Sequence, residues 1–260
     1  MPQPLIIDGT SLHYRTDGAR AHPCLVLCNS LGTDLSMWDA QAEALASSFF
    51  VVRVDTRDHG QSGTSDAPFG IDRLGLDIIA LLDHLRIERA AVCGISMGGL
   101  VGQWLGIHHP QRLTALVLAN TAARIGSGEA WQARAALVRR DGMGAVADGA
   151  AARWFTPAFI ERETATVAGM VDKLRAQNAI GYAACCEALA QADLRSEVPA
   201  ITVPTLVIAG EHDPVTTVED GRWLRQQIAG ASLATVTASH ISSVEQPQQF
   251  TALLQAFLSQ

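Results

Sequence analysis

Apolar positions along this chain fall into two alternating rhythms. Short continuous runs, Cys24-Leu25-Val26-Leu27-Cys28, Phe50-Val51-Val52-Arg53-Val54, Ala90-Ala91-Val92-Cys93 and residues 113–119, are bounded by polar turns, as strands buried on both faces should be. Between them lie stretches with helical spacing. Residues 71–85 place Leu74, Ile78, Leu81, Leu82 and Leu85 on one face, a second helix starts near Met37 or Trp38, and a third runs from Met97 to about His109. Two further short strands are predicted at 5–7 and 12–15, around Asp8-Gly9, a dipeptide that favours a hairpin turn. Strand alternating with helix predicts an α/β fold, a mainly parallel sheet with helices on both faces.

The alternation stops between about 121 and 198, where only helical periodicity is found. Trp131, Arg134 and Val138 share one helix face, as do Val167, Met170, Val171 and Leu174. This stretch reads as an inserted helical cap. The α/β rhythm resumes with a strand at 205–209, a helix at 218–228 and a strand at 232–237. The closing helix carries Phe250, Leu253, Leu254, Phe257 and Leu258, with Pro247 near its start. Residues 1–120 and 199–260 are thus two parts of one core, with 121–198 set into it.

Composition narrows the function. Of 260 residues, 48% are hydrophobic and 17% charged, the balance of a folded globular chain. A net charge of −7 and the lack of a basic stripe argue against nucleic acid as a partner. No apolar stretch reaches membrane-spanning length, and Met1-Pro2-Gln3-Pro4 leads into a strand without the basic, apolar start of a secretory leader. Cys24, Cys28, Cys93, Cys185 and Cys186 are odd in number and scattered, which predicts reduced thiols and a cytoplasmic protein. Cys24 and Cys28 have no matching pair elsewhere, so zinc is not expected.

The chemistry centres on Gly94-Ile95-Ser96-Met97-Gly98, a Gly-x-Ser-x-Gly set between a strand and a helix, the setting of a nucleophile elbow. A serine hydroxyl needs a base to take its proton and a carboxylate to orient that base. Gly210-Glu211-His212-Asp213 comes after the penultimate strand and Ser239-His240 after the last one, so Ser96, Asp213 and His240 occur in the chain order of a hydrolase with this elbow. Glu211 is a second candidate for the acid and His212 a rival for the base. The developing oxyanion needs backbone donors. Met97 N–H, directly after the serine, and Leu31 N–H, in the loop after the 24–28 strand, are the candidates.

These residues, with Asn29-Ser30-Leu31-Gly32-Thr33-Asp34, Trp38, Asp55-Thr56-Arg57-Asp58-His59-Gly60-Gln61-Ser62 and Glu245-Gln246-Pro247, give the chain a resemblance to the α/β-hydrolase superfamily. Within it, the Asn-Ser-Leu-Gly-Thr loop and Trp131-x-x-Arg134 resemble the enol-lactonases of bacterial aromatic catabolism. Many relatives carry His-Gly where this chain has Asn29-Ser30, and some place the acid after the earlier strand, where Asn120 stands here. The resemblance implies Ser-His-Asp acyl-enzyme chemistry on a small anionic lactone, with no cofactor and no metal. Of the cap cations Arg124, Arg134, Arg139, Arg140, Arg153, Arg162, Lys173 and Arg175, Arg134 is the candidate to hold the substrate carboxylate. It lies three residues after Trp131, on the same helix face. Two alternatives stay open: another small-ester, lactone or carbon–carbon hydrolase on the same fold, and a non-catalytic ligand-binding receptor.

Overall fold

The computed structural model describes residues 5–65 and 67–259; the segment 1–4, expected to carry no leader, lies outside them. Strands β1 (Leu5–Ile7) and β2 (Thr10–Leu12) form the hairpin that Asp8-Gly9 predicts, both turn residues adopting positive φ (48° and 81°). The strand predicted at 12–15 is not one strand. At His13 the chain changes partner: its N–H donates to Ser62 Oγ (2.9 Å) and its carbonyl accepts from Asp55 N–H (2.9 Å). The next strand, β3 (Tyr14–Asp17), joins the main sheet antiparallel to β5 (Phe50–Val54), which lies beside β4 (Cys24–Cys28).

With β6 (Ala90–Ile95), β7 (Leu113–Ala119), β8 (Thr205–Gly210) and β9 (Ser232–Val236), the sheet runs in the order β3-β5-β4-β6-β7-β8-β9, parallel apart from β3. Strand β6 continues two residues past the predicted end at Cys93, because Gly94 and Ile95 still pair with Leu118 and Ala119 of β7. Val26, Leu27, Val92, Cys93, Leu116 and Val117 are fully buried. Neighbouring side chains on a strand point to opposite faces, so both faces must be covered. Helices α1 (Asp39–Leu45), α2 (Ile71–His84) and α3 (Met97–His108) contribute to that cover, and a 3₁₀ turn at Leu35–Trp38 precedes α1.

Between β7 and β8 no strand occurs. Six helices, α4 (Gly128–Asp141), α5 (Gly144–Asp148), α6 (Ala150–Trp154), α7 (Pro157–Arg162), α8 (Thr164–Arg175) and α9 (Ala179–Gln191), fill the interval, with α4 packed along α9. The core resumes with α10 (Val218–Gln227), a short α11 (Ser242–Glu245) that the periodicity does not reveal, and α12 (Pro247–Leu258), whose Phe250 packs against Trp38. Parallel strands end on a common edge. The loops after β4, β6, β8 and β9, which carry Leu31, Ser96, Asp213 and His240, therefore meet there. Among the described residues no helix is long and apolar enough to cross a membrane.

Candidate active site

Ser96 sits between β6 and α3 with φ 57° and ψ −114°, a conformation that costs a non-glycine residue about 1–3 kcal/mol. The turn is held from both ends. Ser96 N–H donates to Ala119 O (3.1 Å), and its carbonyl accepts from Leu100 N–H (3.1 Å) and Thr121 Oγ1 (2.8 Å). The flanking glycines are a packing requirement. A Cβ on Gly94 would lie 2.1 Å from Gly98 O, and one on Gly98 would lie 2.3 Å from Cys28 O.

His240 Nδ1 lies 2.8 Å from Asp213 Oδ2, with both side chains buried. The carboxylate is satisfied on both oxygens. Oδ1 accepts from Val215 N–H (2.7 Å) and Thr216 N–H (3.0 Å), and Oδ2 also accepts from Thr216 Oγ1 (2.8 Å) and Asn120 Nδ2 (3.0 Å). Burial works against the ionised form, yet the hydrogen bond and charge of His240, with Asn120 and the Thr216 amide, hold the Asp213 carboxyl below the usual aspartate range. The rivals are elsewhere. Glu211 is exposed and accepts from Thr235 and Thr237 hydroxyls (3.1 and 2.8 Å), and His212 is exposed too.

The Leu31 loop is fixed from below. Asn29 donates to Val54 O (2.9 Å) and accepts from Trp38 Nε1 (3.0 Å), while Asp55 Oδ1 accepts from Leu35 N–H (2.7 Å). Asn29 thus has a structural task of its own where relatives differ. Among the described residues no protein acceptor takes the N–H of Leu31 or of Met97, so both are free to donate to a ligand.

Ser96 and His240 open into a cavity of about 270 Å³ that Leu31 also lines. Its roof comes from the cap: Trp131, Arg134, Arg153, Trp154 and Tyr182. Trp131 Nε1 donates to Ile125 O (2.6 Å), which fixes its ring, and the Arg134 guanidinium stacks 4.8 Å from the ring centroid. Burial raises the Tyr182 hydroxyl to about 12, with the nearby charges of Arg134 and Arg153 opposing it. Arg153 donates to Val146 O (2.7 Å) and is shifted down by burial and by the charge of Arg134.

The cap cations divide into two kinds. Arg124, Arg139, Arg140, Arg162, Lys173, Arg175 and Arg195 each meet an Asp or Glu. Among the described residues Arg134 and Arg153 meet none, and these two line the cavity.

Residues 23–247 match the α/β-hydrolase fold family. The chain belongs to the α/β-hydrolase family. It is 51% identical over 98% of its length, and 95% of the relative's, to 3-oxoadipate enol-lactonase 2 of Acinetobacter baylyi. It is 40% identical to 3-oxoadipate enol-lactonase 1 of the same organism, over 96% of this chain and 94% of the relative. The enol-lactonase crystal structure from Burkholderia xenovorans LB400 superposes with a TM-score of 0.96 at 48% identity, covering 98% of both chains.

The chain brings Ser96, His240, Leu31, Trp131 and Arg134 to one cavity, with Asp213 buried behind His240 and Met97 opening α3 directly after the serine. The sequence does not reveal the support around them. Asn120, just past the end of β7, donates to the Asp213 carboxylate. Tyr182 belongs to no motif, and by sequence Arg153 is one cap arginine among many.

Proposed function

We propose that this protein is a 3-oxoadipate enol-lactonase that works through a Ser-His-Asp acyl-enzyme. The similarity to enzymes of that name supports the assignment, and so does one observation: the two cap guanidiniums that meet no acid among the described residues stand in the roof of the cavity that holds Ser96 and His240. Two like charges half-withdrawn from water repel one another, and an anion placed between them relieves the repulsion. A neutral ester offers no such relief.

The chemistry follows from the polar contacts. With Nδ1 tied to Asp213, His240 presents Nε2 to the cavity. Nε2 takes the Ser96 hydroxyl proton as Oγ attacks the lactone carbonyl, and the resulting oxyanion is received by the amides of Leu31 and Met97. The ring C–O bond then breaks, and His240 returns the proton to the leaving enolate. The enol becomes a ketone and can no longer reclose the ring. Water activated by His240 then cleaves the acyl-enzyme and regenerates the serine. Arg134, stacked on Trp131, holds the side-arm carboxylate. Five cysteines, all unpaired in the fold, support a reducing compartment such as the cytoplasm.

The test is turnover of the enol-lactone of 3-oxoadipate against a neutral lactone of the same ring size. The anionic substrate should have kcat/KM at least about tenfold higher, the scale of one hydrogen bond to a charged group. Equal values for the two lactones, or a preference for the neutral one, would overturn the assignment.

A further inference from the structure

His240 is held through its neighbours in the chain. Ser239, just before it, has both backbone groups engaged: its carbonyl accepts from Asn120 Nδ2 (3.2 Å) and its N–H donates to Glu245 Oε2 (2.9 Å). Ile241, just after it, donates its N–H to Trp154 O (3.0 Å). One of these three anchors lies in the cap itself, and a second, Glu245 of α11, is bonded onward to it. Trp154 ends α6 and lines the cavity, and Glu245 reaches across to Thr156, two residues further on. Thr156 N–H donates to both carboxylate oxygens of Glu245 (3.3 Å each), and its hydroxyl donates to Oε1.

Glu245 is 4% exposed, and among the described residues no Lys, Arg or His forms an ion pair with it. A carboxylate buried among neutral donors is costly, and an apolar side chain of the same volume would fill the space with less desolvation penalty. What the carboxylate adds is two acceptors in one plane. Oε2 takes the Ser239 N–H of the His240 loop, and both oxygens meet Thr156 of the cap. A glutamine keeps only one acceptor: with its oxygen on the Ser239 N–H, its amide nitrogen faces Thr156, where the hydroxyl would have to turn from donor to acceptor.

We propose that Glu245 is a positioning residue that makes the alignment of His240 depend on docking of the cap through Thr156. This rests on the reading of His240 as the base. The cap then does more than close the cavity: when the Trp154–Thr156 segment sits in place, the imidazole is aimed at Ser96, and when it lifts, Ile241 loses its anchor and the Glu245 carboxylate that anchors Ser239 loses its Thr156 donors. The base is fully aligned only while the roof over the substrate is in place.

The experiment uses p-nitrophenyl acetate, a small neutral ester that makes no demand on Arg134, with enzyme concentration set by titration with a serine-directed phosphonate. Thr156→Val keeps the shape and removes the hydroxyl, both as donor to Glu245 and as the α7 cap that accepts from Phe159 N–H (3.4 Å); Thr156→Ser restores both; Glu245→Gln removes one acceptor and leaves the cap of α7 in place. The expected result is that Thr156→Val and Glu245→Gln each lower kcat per titrated serine by about 10- to 100-fold, the scale of a small misplacement of a catalytic group, with KM changed less than about twofold. Thr156→Ser should recover most of the loss. The downfield proton NMR signal of the His240 Nδ1–H bonded to Asp213 should broaden or vanish in Thr156→Val and persist in Thr156→Ser. A Thr156→Val enzyme with lower melting temperature but unchanged kcat and an intact signal would overturn the proposal, leaving Glu245 a staple and nothing more. If instead Ser96→Ala and His240→Ala turned over the ester normally, the base assignment itself would fall and the coupling with it. Because Thr156→Val is nearly isosteric and keeps the Thr156 N–H contact, the test holds even if Glu245→Gln fails to fold.

Discussion

On the core side of the cavity, Asp213 behind His240 is met by His240, Asn120, Thr216 and Val215; on the cap side, Arg134 and Arg153 line the cavity with no acid among the described residues to meet them. The core side completes its charges internally, so its dipoles are already arranged before a substrate arrives. The cap side leaves its charge to be completed by a ligand, and that is a device of selection: a partner lacking the matching charge leaves polar groups unpaired. On the proposed mechanism, rate and specificity then reside in different halves of the fold. Substitutions on the core side should damage all substrates alike, and those at the two arginines should damage only anionic ones.

The largest effect is expected at the core. Ser96→Ala and His240→Ala should each lower kcat by at least about 10³-fold on an anionic lactone and on a neutral ester alike, with circular dichroism unchanged, because the members act as one unit. Asp213→Asn should cost about as much, through the wrong imidazole tautomer. A loss confined to one substrate at any of these positions would break the division between halves.

The seam between core and cap supplies the next prediction. His59 is buried under α9, its ring 6.3 Å from that of Tyr182 and its Nδ1 3.9 Å from Cys185 Sγ. Burial drives it from 6.5 down to about 4, the Arg57 carbonyl and the Asp55 charge resisting only in part. Between those values the unfolded chain binds a proton that the folded chain refuses, so stability falls as pH drops from about 6.5 toward 4. At about 1.4 kcal/mol per unit the full loss is on the order of 3 kcal/mol. Urea unfolding at a series of pH values should show this slope in the wild type and a flatter one in His59→Gln. Equal slopes would mean that His59 titrates normally.

A smaller effect sharpens the comparison at Asn120. Asn120→Ala removes one donor from Asp213, and kcat/KM should drop about tenfold, equally on both substrates. A loss seen only with the anionic lactone would mean that Asn120 serves substrate binding and not the acid.

How much of this is legible in the sequence depends on range along the chain. Strands such as Cys24–Cys28 and Leu113–Ala119 are visible because burial on both faces demands unbroken apolar runs. The elbow is visible because its strain requires Gly94 and Gly98 at fixed offsets. The break at His13 is not, since β-type residues continue through it and only the change of partner from β1 to β5 ends one strand and starts the next. Asn120, Thr156 and Glu245 act through contacts 93 and 89 residues long, which leave no periodic trace. Arg153 can be told from its neighbours only once every other cap cation except Arg134 is seen beside an acid.

The central claim is that the roof selects for charge while the floor does the chemistry, and Arg134→Ala tests it most directly. Measured as kcat/KM on the anionic enol-lactone and on a small neutral ester, the substitution should cost about 1.5–3 kcal/mol on the first and almost nothing on the second. Equal losses on both substrates, or no loss on the anionic one, would contradict it.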